Sequence, residues 1–325
     1  MPYCLSRLPY LRPGGAAIAS IALLALLGCG PAGEPGSAAA PESGPAPAAA
    51  LTFERVGRLQ DARIDEASGI QALGGGRFVV HNDEGTRLFR IDAAGRDLGE
   101  LEVGSANARD WEDITRVPGP DGPLLVIGDI GDNSGSRKDV SLYFLPEPAD
   151  DVEQASASHR VRITYPDGPR DAESLAWDPL SGKLLILSKR DKPPRLYGVP
   201  LDLALWKHEL RAEFLTEVPG FRPPTRRDIA RNPMRGMWVS QPTGMDLSPD
   251  GRLAAVLTYR SLYLFQRRGD ESWVQAFQGQ PLEVIGPPGT HDEAVGFSAD
   301  GRSVYVTTEG RPAPIYRLPL PDRLP

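Results

Sequence analysis

One pattern recurs five times along this chain, and a fivefold repeat of strand-forming segments leaves few folds open. The copies begin EASGIQAL at 66, DWEDITRV at 110, DAESLAWD at 171, QPTGMDLS at 241 and DEAVGFSA at 292. Each runs into a turn (GGGR, PGPDG, PLSGK, SPDGR, SADGR) and then into an apolar β-type run: RFVVHND, LLVIGDI, KLLILSK, LAAVLTY and SVYVTTE. A third run follows (RLFRID, VSLYFLP, PRLYGVP, SLYLFQR, PIYRLPL), and a fourth lies between copies, as in DLGELEVG, SHRVRITYP and ELRAEFLTEVP. Only LDLALWKHE, 201–209, reads as a turn or two of helix. Four short antiparallel strands repeated in this way predict an all-β fold, a β-propeller of five four-stranded blades. The last copy stops after its third run, at Leu320. The unassigned strand LTFERVGRL, 51–59, is therefore expected to supply the missing fourth and close the ring, which removes two sheet edges. A sixth blade would need a degenerate copy hidden in 219–241, and turn spacing alone would also fit a β-sandwich.

The segment before the repeats has a different character. Arg7 and Arg12 precede an apolar run, 16–27, and no acidic residue appears before Glu34. That is the make-up of a secretory signal, too short to span a membrane as a helix. It ends Leu26-Leu27-Gly28-Cys29, which resembles the bacterial lipobox. The resemblance implies that 1–28 are removed and that Cys29 is acylated, holding the protein to a membrane of the bacterial cell envelope by a lipid anchor. Gly30, in place of an Asp after the Cys, is by the same analogy compatible with the outer membrane. Cys4 falls inside the signal, so the exported chain is expected to hold itself together by burial without a disulfide. Residues 29–50 read as a Pro/Ala/Gly/Ser tether, and 51–325 as a single domain. Loss of Arg7 and Arg12 takes the formal charge from −7 to −9, which argues against generic nucleic-acid binding.

Aligning the copies on the apolar residue that starts each first strand (Ile70, Ile114, Leu175, Met245, Val295) exposes a second regularity. Two positions earlier stand Ser68, Glu112, Glu173, Thr243 and Glu293, all carrying oxygen. Strand alternation places Glu293 on the face of Val295 and Phe297, a carboxylate at the head of an apolar stripe. First strands line a propeller's channel, so the five are expected to form one ring. Three carboxylates converging there must either hold protons or bind a cation. Oxygen donors without His or Cys select a hard ion, and flexible geometry favours Ca²⁺ over Mg²⁺. The residues equally allow each Glu to cap backbone amides in a water-filled channel.

The order Ser, Glu, Glu, Thr, Glu, at spacings of 44, 61, 70 and 50 residues, resembles that of the calcium-activated nucleotidases (apyrases). Those five-bladed propellers hold Ca²⁺ on the channel axis with side chains in the order Ser, Glu, Glu, Ser, Glu. EASGI, DWEDI, DAESL and DEAVGF look like that family's strand starts, and the likeness extends over most of 52–320. It implies an axial Ca²⁺ on Ser68, Glu112, Glu173, Thr243 and Glu293. Thr243 departs from the family's Ser but keeps the hydroxyl oxygen. Where the family carries an Asp pair followed by Arg near the end of blade one's second strand, this chain has Asn82-Asp83-Glu84, a departure that bears on catalysis more than on calcium.

Antiparallel order brings the ends of the second strands to the same mouth: His81-Asn82-Asp83, Asp129 with Asp132-Asn133, Lys189-Arg190, Tyr259-Arg260 and Thr308-Glu309. Arg109, Arg170 and His291 on the entering loops belong there too, as does the five-arginine loop 219–241. Lys189, Arg190, Arg260, Arg170 and Arg109 are thus candidates to bind an anionic small molecule, since guanidinium forks beside a cation suit phosphates. Asp83 is the candidate general base, with His81 as another. GDIGDNSGSRKD, 128–139, lacks EF-hand spacing and reads as a polar turn. GxSxG and HExxH are missing, and an esterase or lactonase would call for a different Asn/Asp ligand set. Two functions stay open: a Ca²⁺-dependent phosphohydrolase of nucleotidase or phytase-like type, and a non-catalytic calcium-stabilised propeller that binds a protein or glycan.

Overall fold

The computed structural model describes residues 51–287 and 292–324. The signal, Cys29, the tether and His291 lie outside them. The chain is a five-bladed β-propeller. Its inner strands, Ala67–Gly74, Trp111–Gly119, Ala172–Asp178, Pro242–Leu247 and Asp292–Phe297, each begin one sheet and pair antiparallel with the second strand. Each inner strand packs beside those of the two neighbouring blades, and blade five returns to blade one. The expected closure is present: Glu54–Arg58 pairs with Pro314–Pro319 as the outer strand of blade five. Residues 219–241 contain no strand, so there is no sixth blade.

Why the second strands read as unbroken apolar runs is now plain. A blade stands radially, and both its faces are covered by neighbouring blades. In Lys183–Ser188, Leu184 and Ile186 enter the core shared with blade two, while Leu185 and Leu187 enter the core shared with blade four. Blade one does the same with Val80 and Val79. Five apolar cores therefore fill the five gaps between blades, and a strand buried on both sides loses the polar half of its alternation. The turns joining first to second strands use glycine in the left-handed region, as at Gly182, Gly251 and Gly301 (φ 66–69°).

Three local expectations need correction. ELRAEFLTEVP is not one strand. Glu213–Glu217 is the outer strand of blade three, whereas Glu209–Arg211 pairs in parallel with the outer strand of blade two. Gln154–Ser156 adds a similar fifth strand to blade one, so two sheets exceed four strands. Helix covers only Leu201–Ala204 of 201–209, and two further short helices, Arg226–Arg231 and Trp273–Ala276, start at capping boxes on Thr225 and Ser272. Among the described residues no helix is long and apolar enough to cross a membrane.

The third correction concerns Glu293. Strict alternation does not hold there, because the pairing of each inner strand with its second strand shifts register across the ring position. The shifts fall between Ala67 and Gly69, Trp111 and Asp113, Ala172 and Ser174, Pro242 and Gly244, and Asp292 and Ala294. In all five blades the residue skipped is the ring residue. It is the extra residue of a β-bulge, a device that re-aims a side chain out of the sheet's own alternation. Glu293 thus leaves the apolar stripe to Val295 and Phe297.

Candidate metal centre

The five bulges bring Ser68, Glu112, Glu173, Thr243 and Glu293 to one mouth of the channel, each buried. Ser68 Oγ donates to the Glu112 carbonyl at 2.8 Å and lies 3.3 Å from Glu112 Oε2, which ties blade one to blade two at the ring. Around Glu112 and Glu173 a third carboxylate joins, that of Asp171. Glu112, Asp171 and Glu173 each offer an oxygen within 4.8 Å of the others. Asp171 is fixed from two sides: Oδ1 accepts from the Asp132 amide at 2.8 Å, and Oδ2 accepts from Arg190 Nε. Gly131 leaves room for the acids. A methyl on its Cα would stand 2.1 Å from Glu112 Oε1 and 2.4 Å from Asp110 Oδ2.

Lys189 enters this cluster from the end of blade three's second strand. Its ammonium bonds Glu173 Oε1 and lies 5.1 Å from the centre of the Tyr259 ring. Glu173 Oε2, by contrast, is buried and has no hydrogen-bond partner. Burial, with Glu112's neighbours Glu173 and Asp110, holds the Glu112 carboxyl well above its usual range. Glu173 is likewise raised by burial, against the pull of Lys189. Glu293 is pushed up to about 7 by burial, with Lys189 lowering it, Glu309 raising it, and Tyr259 and Glu309 as hydrogen-bond partners. Such acids can lose their protons together only beside additional positive charge. The buried triad of hard oxygen donors, with one oxygen unsatisfied, could hold a metal ion.

The remaining candidates fall into two groups. Arg190 bonds Asp171 and Asn133 Oδ1 and so joins the cluster. Arg170 is turned to its own blade, pairing with Asp167 at 3.2 Å and Asp191 at 3.4 Å and donating to Tyr197 Oη. Arg260 pairs with Asp228 at 3.0 Å and anchors the long loop through the Arg222 carbonyl. Arg109 is exposed, and its charge pulls against the burial that holds the Asp129 carboxyl above its usual range. In the loop, Arg222 is held by Glu283 at 2.9 Å, while Arg226, Arg227 and Arg231 are exposed.

Asp83 lies beside Glu66 and Asp110. Burial and the Glu66 charge push its carboxyl up to about 7, and its Oδ1 is buried without a partner. His81 is wholly buried, edge-on to Trp111, with Nδ1 2.9 Å from the Asn82 carbonyl, and burial lowers it to about 4. It is a neutral packing residue. The 128–139 segment is a turn organised by Asp132, whose carboxylate accepts from the Ser136 and Arg137 amides at 2.9 and 2.8 Å.

Sequence reasoning missed Asp171, Asp110 and Glu66 as members of this neighbourhood, and it placed Tyr259 and Glu309 at this mouth without giving them a role. Asp171 was within reach, since it opens DAESL two residues before Glu173. It also missed two carboxylates that pin the channel further in. Asp113 Oδ2 accepts from the Leu175 and Met245 amides at 2.8 and 3.2 Å, so one side chain on blade two joins blades three and four. Asp246 accepts from the Leu247 and Phe297 amides, both at 2.8 Å.

No protein-family model matches the chain, and no curated protein matches it. Among solved structures, a luciferin-regenerating enzyme is similar over 83% of this chain and 95% of its own, at 11% identity and a TM-score of 0.42. A gluconolactonase from Xanthomonas campestris is similar over 83% of this chain and 89% of its own, at 14% identity and a TM-score of 0.43. Likeness this distant carries no argument about the site, and the five-bladed arrangement rests on the strand pairings themselves.

Proposed function

We propose that the ring mouth is a divalent-cation site that favours Ca²⁺, and that the protein uses it to hydrolyse a phosphorylated small molecule at the bacterial cell envelope, held there through acylated Cys29. The observation that carries the reading is the unsatisfied Oε2 of Glu173, buried beside Glu112 and Asp171. Lys189 and Arg190 already neutralise part of this cluster, yet carboxylates still outnumber cations in it. Glu112, Asp171 and Glu173 would hold the ion, with Ser68, Thr243 and Glu293 completing the ring. A bound Ca²⁺ supplies Lewis-acid polarisation of a phosphoryl oxygen. The order of the ring residues, similar to that of the calcium-activated nucleotidases, supports the same class of substrate.

The chain's own part in such a reaction is positional and protolytic. Asp83, with a carboxyl near neutrality, can accept a proton from water at pH 7 and above. Lys189 and Arg190 stand where an anionic substrate would approach the ion. A second reading, calcium as a structural pin in a non-catalytic binding propeller, is favoured by one observation: Lys189, Arg190, Arg260 and Arg170 are each engaged by carboxylates. The two are separated by assaying purified protein against p-nitrophenyl phosphate, nucleoside diphosphates and phytate, with calcium and with chelator. Calcium-dependent turnover that falls at least a hundredfold in Asp83→Asn supports the hydrolase. Calcium binding without turnover of any of them supports the pin.

A further inference from the structure

The opposite mouth of the channel holds a cavity of about 620 Å³ that the ring does not use. Gln71, Thr115 and Asp246 line it, each three positions beyond a ring residue on its inner strand, and Phe297 lies four beyond Glu293. At a strand rise of about 3.3 Å per residue, that sets the two sites roughly 10–13 Å apart along the channel. Its volume falls in the range of small-molecule sites, about 300–1,000 Å³.

The lining is uneven in a way that selects a ligand. Leu73, Val117, Trp177, Leu247 and Phe297 make apolar and aromatic walls, with turn prolines at the lip. Two charged residues face the space. Arg116 is at the rim, and its guanidinium is ion-paired with Glu147. Asp246 is at the floor, 7% exposed, and no cationic side chain meets it among the described residues. Its two oxygens each take one backbone amide, which leaves each a second lone pair. Asp113 lies deeper in the channel, near enough for Asp246 to act on it, and burial holds its carboxyl well above the usual range. Once ionised, Asp246 therefore has an electrostatic demand that the walls around it do not meet. A carboxylate that shares its pocket with aromatic side chains, here Trp177 and Phe297, suits an ammonium group, which both the charge and a ring face attract.

We infer that this mouth is a second binding site, separate from the ring, for a small organic cation with an apolar body, its ammonium or amidinium directed at Asp246. An anion of the same shape is rejected by the same carboxylate, and a neutral alcohol gains only the apolar walls.

The probes are phenethylammonium, 2-phenylethanol and 3-phenylpropionate, titrated calorimetrically into the full chain at pH 8, where Asp246, pushed up to about 7 by burial, is ionised. Phenethylammonium is expected to bind saturably, at least tenfold more tightly than the alcohol, with no binding of the carboxylate. Ala299→Trp, at an exposed lip position, puts an indole into the cavity without touching the core and should weaken binding at least tenfold. Asp246→Asn should do the same, and Ala299→Trp keeps the test valid if that variant does not fold. Glu173→Gln should leave binding unchanged. The inference is overturned if folded wild type binds none of the probes at millimolar concentration, or binds the carboxylate as well as the ammonium. It is also overturned if binding survives Ala299→Trp, or is lost in Glu173→Gln, which would assign the cation to the ring.

Discussion

Replacing Lys189 with Met tests the electrostatics of the ring from the side of its resident cation. The ammonium is buried, bonds Glu173 Oε1, and is held above its normal pKa chiefly by Glu173, Tyr259 and Glu293, against the effect of burial. Methionine keeps the length and the packing on Tyr259 but leaves Glu173 with Glu112 and Glu293 and no counter-charge. Breaking a buried pair by deleting one partner costs about 3–5 kcal/mol. At about 2–4 °C per kcal/mol for a domain of this size, Lys189→Met should melt roughly 6–20 °C lower than wild type in chelator. Calcium should narrow the gap. Two unit charges 4 Å apart repel by about 4 kcal/mol where the effective dielectric constant is about 20. Flanking carboxylates cancel much of that, so removing Lys189 should tighten calcium binding by at least tenfold, about 1.4 kcal/mol. Saturating calcium should then return at least about 1.4 kcal/mol of the lost stability. Calorimetric melting with calcium and with chelator, together with calcium titration, reads both effects. A variant as stable as wild type in chelator, or one that binds calcium no more tightly, would refute the reasoning.

Other expectations follow from the channel and the N-terminus. Asp246 is pushed up to about 7 by burial, so the native state holds its proton while the unfolded chain releases it near pH 4. The stability it contributes is full below about pH 4 and is lost as pH rises through 7. Asp246→Asn lacks that loss, so its stability relative to wild type should improve by about 2–3 kcal/mol between pH 5 and pH 8 in urea titrations; a difference that does not change with pH contradicts this. Asp113→Ala strands the Ile114, Leu175 and Met245 amides inside the channel. At about 1–3 kcal/mol per buried unpaired donor, the variant should lose at least ~3 kcal/mol in urea unfolding, and a loss under 1 kcal/mol would show the carboxylate is not a pin. Cys29→Ser should abolish metabolic fatty-acid labelling and release the protein from membranes, whereas unchanged labelling would remove the lipid-anchor proposal.

Much of the fold was legible because a blade has to repeat its pattern. Five copies of a turn between apolar runs located the inner strands, and a missing fourth run in the last copy pointed to Glu54–Arg58 as the closure. The ring residues were legible for the same reason. What hid was whatever depends on pairing between strands distant along the chain. A bulge is defined by which partner residue is skipped, so Glu293 read alone looks like part of its own stripe. Lys189 reads as a ligand-binding cation at the ring mouth, yet it is buried against Glu173, sixteen residues back. Asp113 and Asp246 alternate with apolar residues as an exposed face would, but their amide partners come from other blades. The capping boxes at Thr225 and Ser272 carried a local signal. Helices of six and four residues are too short for a period to confirm it.

Whether the ring takes up a divalent cation is read out by calcium titration of the purified protein in a calorimeter. One Ca²⁺ per chain is expected, with no uptake by Glu112→Gln or Glu173→Gln and with stabilisation of the wild type by mass action. At a hundredfold excess over the dissociation constant that stabilisation is about 2.7 kcal/mol, or roughly 5–10 °C in melting temperature. Folded wild-type protein that takes up no calcium, and whose melting curve is the same in calcium and in chelator, would contradict it.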